Sequence, residues 1–308
     1  EEAAASGDGG LGTSSGLGTS SGLGTSSGLG TSSGLGTSSG LGTPPGPPAG
    51  PRRPWPRPDG AEDVLGTGVR VFVPPVVPAL SSRTVLTTVL APGEPLDRAV
   101  ARPPEERDAL GTTLLQLTLR QLFEWRYLQT DPNWGNFLYD GPSRTLSLID
   151  FGAARAFPPA FVDDYMRVVC AAADADVDRL LAAAARLGFL TGLEAADHLR
   201  ASVRAGLVVA EPFALPPDQP FDFGRTDLTA RVVAHSEAMV LGRLAPPPKE
   251  AYSLHRLLSG CFLACIRIKA KVPASRLLAQ LRQTYRFQSP EPQLPDTLRD
   301  LRQRGLLQ

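Results

Sequence analysis

The sequence predicts an α+β fold, mostly helical, and three observations predict it. Short β-branched segments broken by proline occupy residues 64–90. A helix with a broad apolar face follows from Pro103 and delivers the chain to a polar loop near Asp131. After Gly152 the apolar periodicity is helical almost to the end.

Taken in order, residues 1–60 read as a low-complexity, disordered lead-in. Leu11 to Gly40 are five tandem copies of LGTSSG. Gly, Ser and Thr supply no core, so backbone entropy keeps such a stretch flexible. A phosphate-binding loop needs Gly-Lys-[Ser/Thr], and Lys249 is the first lysine in the chain, so the glycines are not one. Pro44 to Asp59 is a Pro- and Arg-rich linker. An ordered domain is expected over 64–290 and a polar tail over 291–308.

Lys plus Arg and Asp plus Glu each number 31, giving zero formal charge. A general nucleic-acid binder would carry a basic excess. The three cysteines, Cys170, Cys261 and Cys265, lack the partners a structural zinc needs and read as buried free thiols. No apolar run reaches the roughly 18 residues of a transmembrane helix.

Val69 to Val73 and Val76 to Pro78 read as extended, and Ser82 to Leu90 as a strand, with a turn at Ala91-Pro92-Gly93. Pro103-Pro104-Glu105-Glu106 opens the long helix, with proline early and acids in the first turn. Leu110, Leu114, Leu115, Leu117, Leu122 and Phe123 form its apolar face, and it ends near Leu128. Later helices are expected over Pro159 to Ala172, Asp176 to Leu187, Thr191 to Val208, Asp227 to Leu241, Glu250 to Lys271 and Ser275 to Arg286. His198, His235 and His255 read as surface or packed histidines, and Glu194 as part of a solvated helix face.

The loop from Gln129 to Gly152 reads QTDPNWGNFLYDGPSRTLSLIDFG. Asp131 and Asn136 are five residues apart, and the alternating run Thr145 to Ile149 leads into Asp150-Phe151-Gly152. This is the D-x-x-x-x-N, strand and D-F-G order of a kinase catalytic centre. Phosphoryl transfer needs a carboxylate to orient the nucleophile, which Asp131 fits, and hard oxygen ligands for Mg²⁺, which Asn136 and Asp150 offer. Leu138 would face the adenine. A second D-F-G, Asp222-Phe223-Gly224, follows prolines instead of a strand and reads as a surface turn.

The wording QTDPNWGNFLYD, LIDFGAAR, AAADAD, FLTG, PFDFG and PPPKEAYSLHR resembles the UbiB family, the aarF-domain (ADCK) atypical kinases, from about Val69 to about Arg286. The resemblance implies a protein-kinase-like fold, mostly the helical C-lobe with a remnant of the N-lobe sheet, and a hinge that meets the adenine near Val89 and Leu90. It implies ATP and Mg²⁺ as ligands and a kinase or ATPase that supports coenzyme Q (ubiquinone) biosynthesis on the matrix side of the mitochondrial inner membrane. Coenzyme Q biosynthesis proteins, prenyl-lipid intermediates, a membrane surface and a second copy are the partners it implies. Gln129-Thr130 stand where ordinary protein kinases carry His-Arg, as the family pattern has it.

The chain departs from that pattern in its first part. The K-x-G-Q segment, the alanine-rich loop and the phosphate-binding lysine are not found. This leaves a second hypothesis, an inactive C-lobe that binds partners or lipids. A third, small-molecule phosphotransfer of the aminoglycoside type, shares the D-x-x-x-x-N loop but not the FLTG or PPPKE wording.

Overall fold

The computed structural model describes residues 60–305, so the LGTSSG repeats and the proline linker lie outside the described residues. Four short strands make the main sheet: β1 (Arg70–Phe72), β2 (Glu94–Pro95), β4 (Phe137–Asp140) and β5 (Thr145–Leu148), in the order β1-β5-β4-β2. β4 and β5 form an antiparallel hairpin with Phe137 opposite Leu148, and β1 runs parallel to β5. Between β2 and β4 lie helix α1 (Pro104–Arg120) and strand β3 (Tyr127–Gln129), which pairs with β6 (Ala154–Ala156).

The helical half comprises α2 (Pro159–Ala173), α3 (Val177–Arg186), α4 (Ala196–Ala214), α5 (Leu228–Leu241), α6 (Lys249–Ile268), α7 (Ala274–Thr284) and α8 (Asp296–Gln303). A last two-stranded ladder joins β7 (Phe221–Asp222) to β8 (Lys271–Val272). This is the predicted α+β, kinase-like arrangement dominated by its helical lobe.

Helix α1 is the spine. Proline at its start and Glu105 and Glu106 in its first turn match the positive end of the helix dipole. Leu110, Leu114, Leu115, Leu117, Leu122 and Phe123 are all buried, as the periodicity required. The helix widens into a π-turn over Gln121–Trp125 and stops there, three residues before Leu128, because Arg126 takes a left-handed conformation (φ 53°). That stop turns the chain into β3 and aims it at Asp131.

Several expectations need correction. Ser82 to Leu90 is not a strand: its ladder contact is a single bridge, Val76 to Thr88, and Val85, Leu86 and Leu90 are exposed. β-branched residues favour extension, but a strand also needs a partner edge, and this segment finds one at only one position. The second D-F-G is not a surface turn. Phe223 is fully buried, edge-on to Phe221 (4.8 Å) and tilted against Phe262 (5.4 Å). Glu194 is not solvated either: it is buried and accepts from the Thr191 N–H and hydroxyl and the Gly192 N–H. Those bonds hold 191–194 in a turn, so α4 begins at Ala196 instead of Thr191.

The segment leading into the polar tail is tied down. Asp163 on α2, without exposed surface, accepts from the Tyr285 hydroxyl (2.6 Å), the Gln288 N–H (2.7 Å) and the Ser289 N–H (2.8 Å) and hydroxyl (2.9 Å). Arg167, one turn on, binds Asp164 and Glu291 and stacks over Phe287 (4.2 Å). Further on, α8 buries Leu298 among residues of α2, α3 and α4. Among the described residues no helix is long and apolar enough to cross a membrane.

Candidate functional site

Asp131, Asn136 and Asp150 come from three consecutive pieces of backbone that the sheet gathers. Asn133 caps the short turn before Asn136 by accepting from the Gly135 N–H (3.0 Å). The Ile149 N–H then bonds to the Asn136 carbonyl (3.1 Å), which fixes the end of β5 beside the loop. Asp150 follows directly, and its Oδ1 accepts from the Gly152 N–H (2.8 Å), so the carboxylate is held over the turn with Oδ2 open. The Asn136 amide donates from Nδ2 to Asp131 Oδ2 (3.0 Å), which leaves the Asn136 Oδ1 for another partner.

Gln129 and Thr130 strap these pieces together. The buried Gln129 side chain accepts from the Asp131 N–H (2.6 Å) and donates to the Asp150 carbonyl. The Thr130 hydroxyl donates to the Ala153 carbonyl (2.7 Å). The two residues before Asp131 therefore bind both sides of the D-F-G turn. Gln129, Asn136 and Asp150 border one small cavity of about 30 Å³ beneath the loop, which Trp134 and Phe137 also line.

The remaining predicted residues sit on another surface. Phe137 and Tyr139 pack on the core, so strand alternation puts Leu138 on the opposite face of the sheet, across from Ser147. The Ser147 hydroxyl donates to the Pro92 carbonyl (3.3 Å), which brings the end of the hinge segment to that same face. Val89 is bonded through its N–H to the Pro75 carbonyl (2.9 Å), and Leu90 is exposed. The segment carrying Val89 and Leu90 is thus extended and is not the strand expected there.

Two features escaped the sequence reading. Arg256 on α6 pairs with Asp131 Oδ1 (2.6 Å) across 125 residues. It is the last residue of PPPKEAYSLHR, so the wording held the signal, but no spacing rule connects it to the loop. Gly260, one turn further, meets the loop directly: a Cβ there would lie 2.0 Å from Pro132 Cβ. The backbone of α6 is therefore packed against the catalytic-type loop with no room between.

Known proteins match this arrangement. Residues 61–184 match the ABC1 atypical kinase-like domain. The chain belongs to the ABC1, or UbiB, family of atypical kinases. This ABC1 chain is 44% identical over 213 residues to the rat mitochondrial atypical kinase COQ8B, covering 69% of this chain and 40% of that one. It is 34% identical over 209 residues to the mitochondrial atypical kinase COQ8 of Saccharomyces cerevisiae, covering 68% of this chain and 42% of that one. It therefore spans about two fifths of the length of these relatives. In fold it resembles Rv3197 of Mycobacterium tuberculosis, solved with erythromycin, with a TM-score of 0.53 at 22% identity over 71% of this chain and 54% of that one.

The donor set fits Mg²⁺. This small ion usually takes one or two protein oxygens and completes its shell with water and phosphate. Asn136 Oδ1 and Asp150 Oδ2 supply two such oxygens beside one cavity. Among the described residues no three His, Cys, Asp or Glu side chains cluster as a fuller cage.

Proposed function

We propose that this chain carries the metal and nucleotide end of an atypical kinase or ATPase that supports coenzyme Q biosynthesis in the mitochondrion. Asp131 orients the attacking oxygen. Asn136 and Asp150 hold Mg²⁺, which when bound neutralises charge on the phosphates. Leu138 and the Val89–Leu90 hinge face the adenine from the open side of the sheet. The observation that carries this reading is the division of labour at Asn136: its NH₂ is spent on Asp131, its oxygen is left over, and it borders the same small cavity as Asp150. The partners proposed are the coenzyme Q biosynthesis proteins and their prenyl-lipid intermediates.

One observation favours the second reading, a catalytically inactive partner- or lipid-binding module. Both oxygens of Asp131 are engaged, one by Asn136 and the other by Arg256, and no lysine precedes Lys249 to clamp phosphate. Calorimetric titration of the chain with ATP, with and without Mg²⁺, separates the two. Mg²⁺-dependent binding that Asp150→Asn abolishes supports the nucleotide site. No binding at millimolar ATP supports the inactive module.

A further inference from the structure

Helix α6 separates two spaces. Leu257, Gly260, Cys261 and Ala264 face the small cavity beneath the Asp131 loop. Other residues of the helix, His255, Leu258, Phe262 and Ile266 among them, face a second cavity of about 630 Å³ that α2, α4 and α5 also line. This is roughly four times the ~150 Å³ void that holds a benzene molecule. It lies within the ~300–1,000 Å³ range of ligand pockets. Its wall is mostly aliphatic and aromatic, so water inside would make few hydrogen bonds.

Ser202, Thr229 and Ser259 are also on the wall, but one corner gathers three polar groups that are left without hydrogen-bond or ion-pair partners among the described residues. Tyr165 is 5% exposed, lines the cavity, and its hydroxyl bonds to nothing. His255 lies beside it (ring centroids 6.2 Å apart) and contacts Phe189 (5.5 Å), but its ring nitrogens have no partner. Arg243 completes the corner as an exposed cation with no carboxylate on it. Burial, with the Arg243 charge adding, pushes the His255 pKa below its ordinary value, and burial pushes Tyr165 upward. Near neutral pH the corner therefore offers a neutral imidazole, a phenol donor and a guanidinium. Among the described lining residues there is no acidic side chain.

We propose that this cavity binds a single-chain amphiphile with an anionic head, its apolar chain among α2, α4, α5 and α6 and its head on Tyr165, His255 and Arg243. The apolar wall selects the chain. Two donors, one of them charged, select an anion over a neutral or cationic head. The site is separate from the Asp131 loop and stands whether or not that loop binds nucleotide.

The test uses the full chain and cis-parinaric acid, a long-chain carboxylic acid whose fluorescence rises in apolar surroundings, with its methyl ester as the uncharged control. The expected result is saturable, stoichiometric binding of the acid, displaced by oleate, with the ester about tenfold weaker, the factor worth one charge-assisted hydrogen bond. Val209→Trp, which fills the apolar end, abolishes both. Tyr165→Phe with Arg243→Gln removes the preference for the acid and leaves ester binding unchanged, and being near-isosteric it carries the test if Val209→Trp does not fold. Absence of saturable binding overturns the proposal. So does equal affinity for acid and ester, or binding that a folded Val209→Trp variant retains.

Discussion

Replacing Gln129 by leucine tests whether the two halves of the site are held by one side chain. Leucine keeps most of the volume and deletes both side-chain hydrogen bonds, from the Asp131 N–H and to the Asp150 carbonyl. Each such bond contributes about 1 kcal/mol net, and an orphaned buried group costs about 1–3 kcal/mol. Asp131 is only partly buried and Asp150 is exposed, so water reaches part of what is lost. The expected loss is therefore roughly 2 kcal/mol, read from urea unfolding of the chain. Gln129→Glu gives a sharper signature. A carboxylate still accepts from Asp131 but faces the Asp150 carbonyl without a proton, so its folded-state pKa is raised above the ordinary ~4.3. The protonated form restores the donor, so this variant is fully recovered only below the unfolded pKa and loses stability as pH rises through the raised folded value. Mg²⁺-dependent nucleotide binding should weaken in both variants, because the metal-facing turn loses its tie to the loop. Stability of Gln129→Leu within about 0.5 kcal/mol of the parent, the range of surface substitutions, with unchanged nucleotide affinity, would refute the strap.

Three further outcomes follow from the packing. Gly260→Ala gains about 1 kcal/mol of helix propensity, but its Cβ would overlap Pro132, and overpacking costs typically 1–3 kcal/mol; a net loss of stability in thermal unfolding is expected, and a gain would show that the loop yields. Phe223→Ala should cost about 3–5 kcal/mol, since Phe223 is wholly buried against Phe221 and Phe262; a loss under about 1 kcal/mol in urea would mean the second D-F-G is a surface turn after all. Burial alone would raise the Asp163 pKa, but hydrogen bonds from Tyr285, Gln288 and Ser289 outweigh it and hold the pKa below the ordinary value. Its stabilisation is therefore present above its unfolded pKa of about 3.9 and lost as pH falls through the lower folded value. Asp163→Ala should lose about 3–5 kcal/mol at neutral pH and flatten the acid limb of the stability profile, and an acid limb as steep as the parent's would assign it to other carboxylates.

Much of the fold was legible because its signals are local. The helix from Pro104 announces itself by proline, first-turn acids and leucine spacing. Asp176 caps α3 by accepting from the Arg179 N–H (3.1 Å), and Gly188 just past its end takes φ +82°. The loop order around Asp131, Asn136 and Asp150 was equally readable, since all three lie within one hairpin's reach. What failed depended on which groups pack together, near or far: Glu194 turned inward onto Thr191 and Gly192, and Phe223 onto Phe221 and Phe262. Ser82 to Leu90 has strand composition, but composition supplies no neighbour to pair with.

The two D-F-G copies show the division between sequence and tertiary structure most directly. In both, the aspartate Oδ1 accepts from the glycine N–H, at 2.8 Å for Asp150 and 2.9 Å for Asp222. The sequence by itself determines that turn, because the bond spans two residues and needs nothing else. It also determined the family, through wording dense enough to be specific. Tertiary structure alone decided that Phe151 is exposed beside a metal-type donor pair while Phe223 is sealed in a core. It alone brought Arg256 to Asp131, set Gly260 against Pro132, and left a large apolar cavity on the far side of the same helix. Those outcomes arise from contacts between segments separated along the chain, Arg256 and Asp131 by 125 residues, where burial and close packing choose among arrangements that local propensity leaves equal.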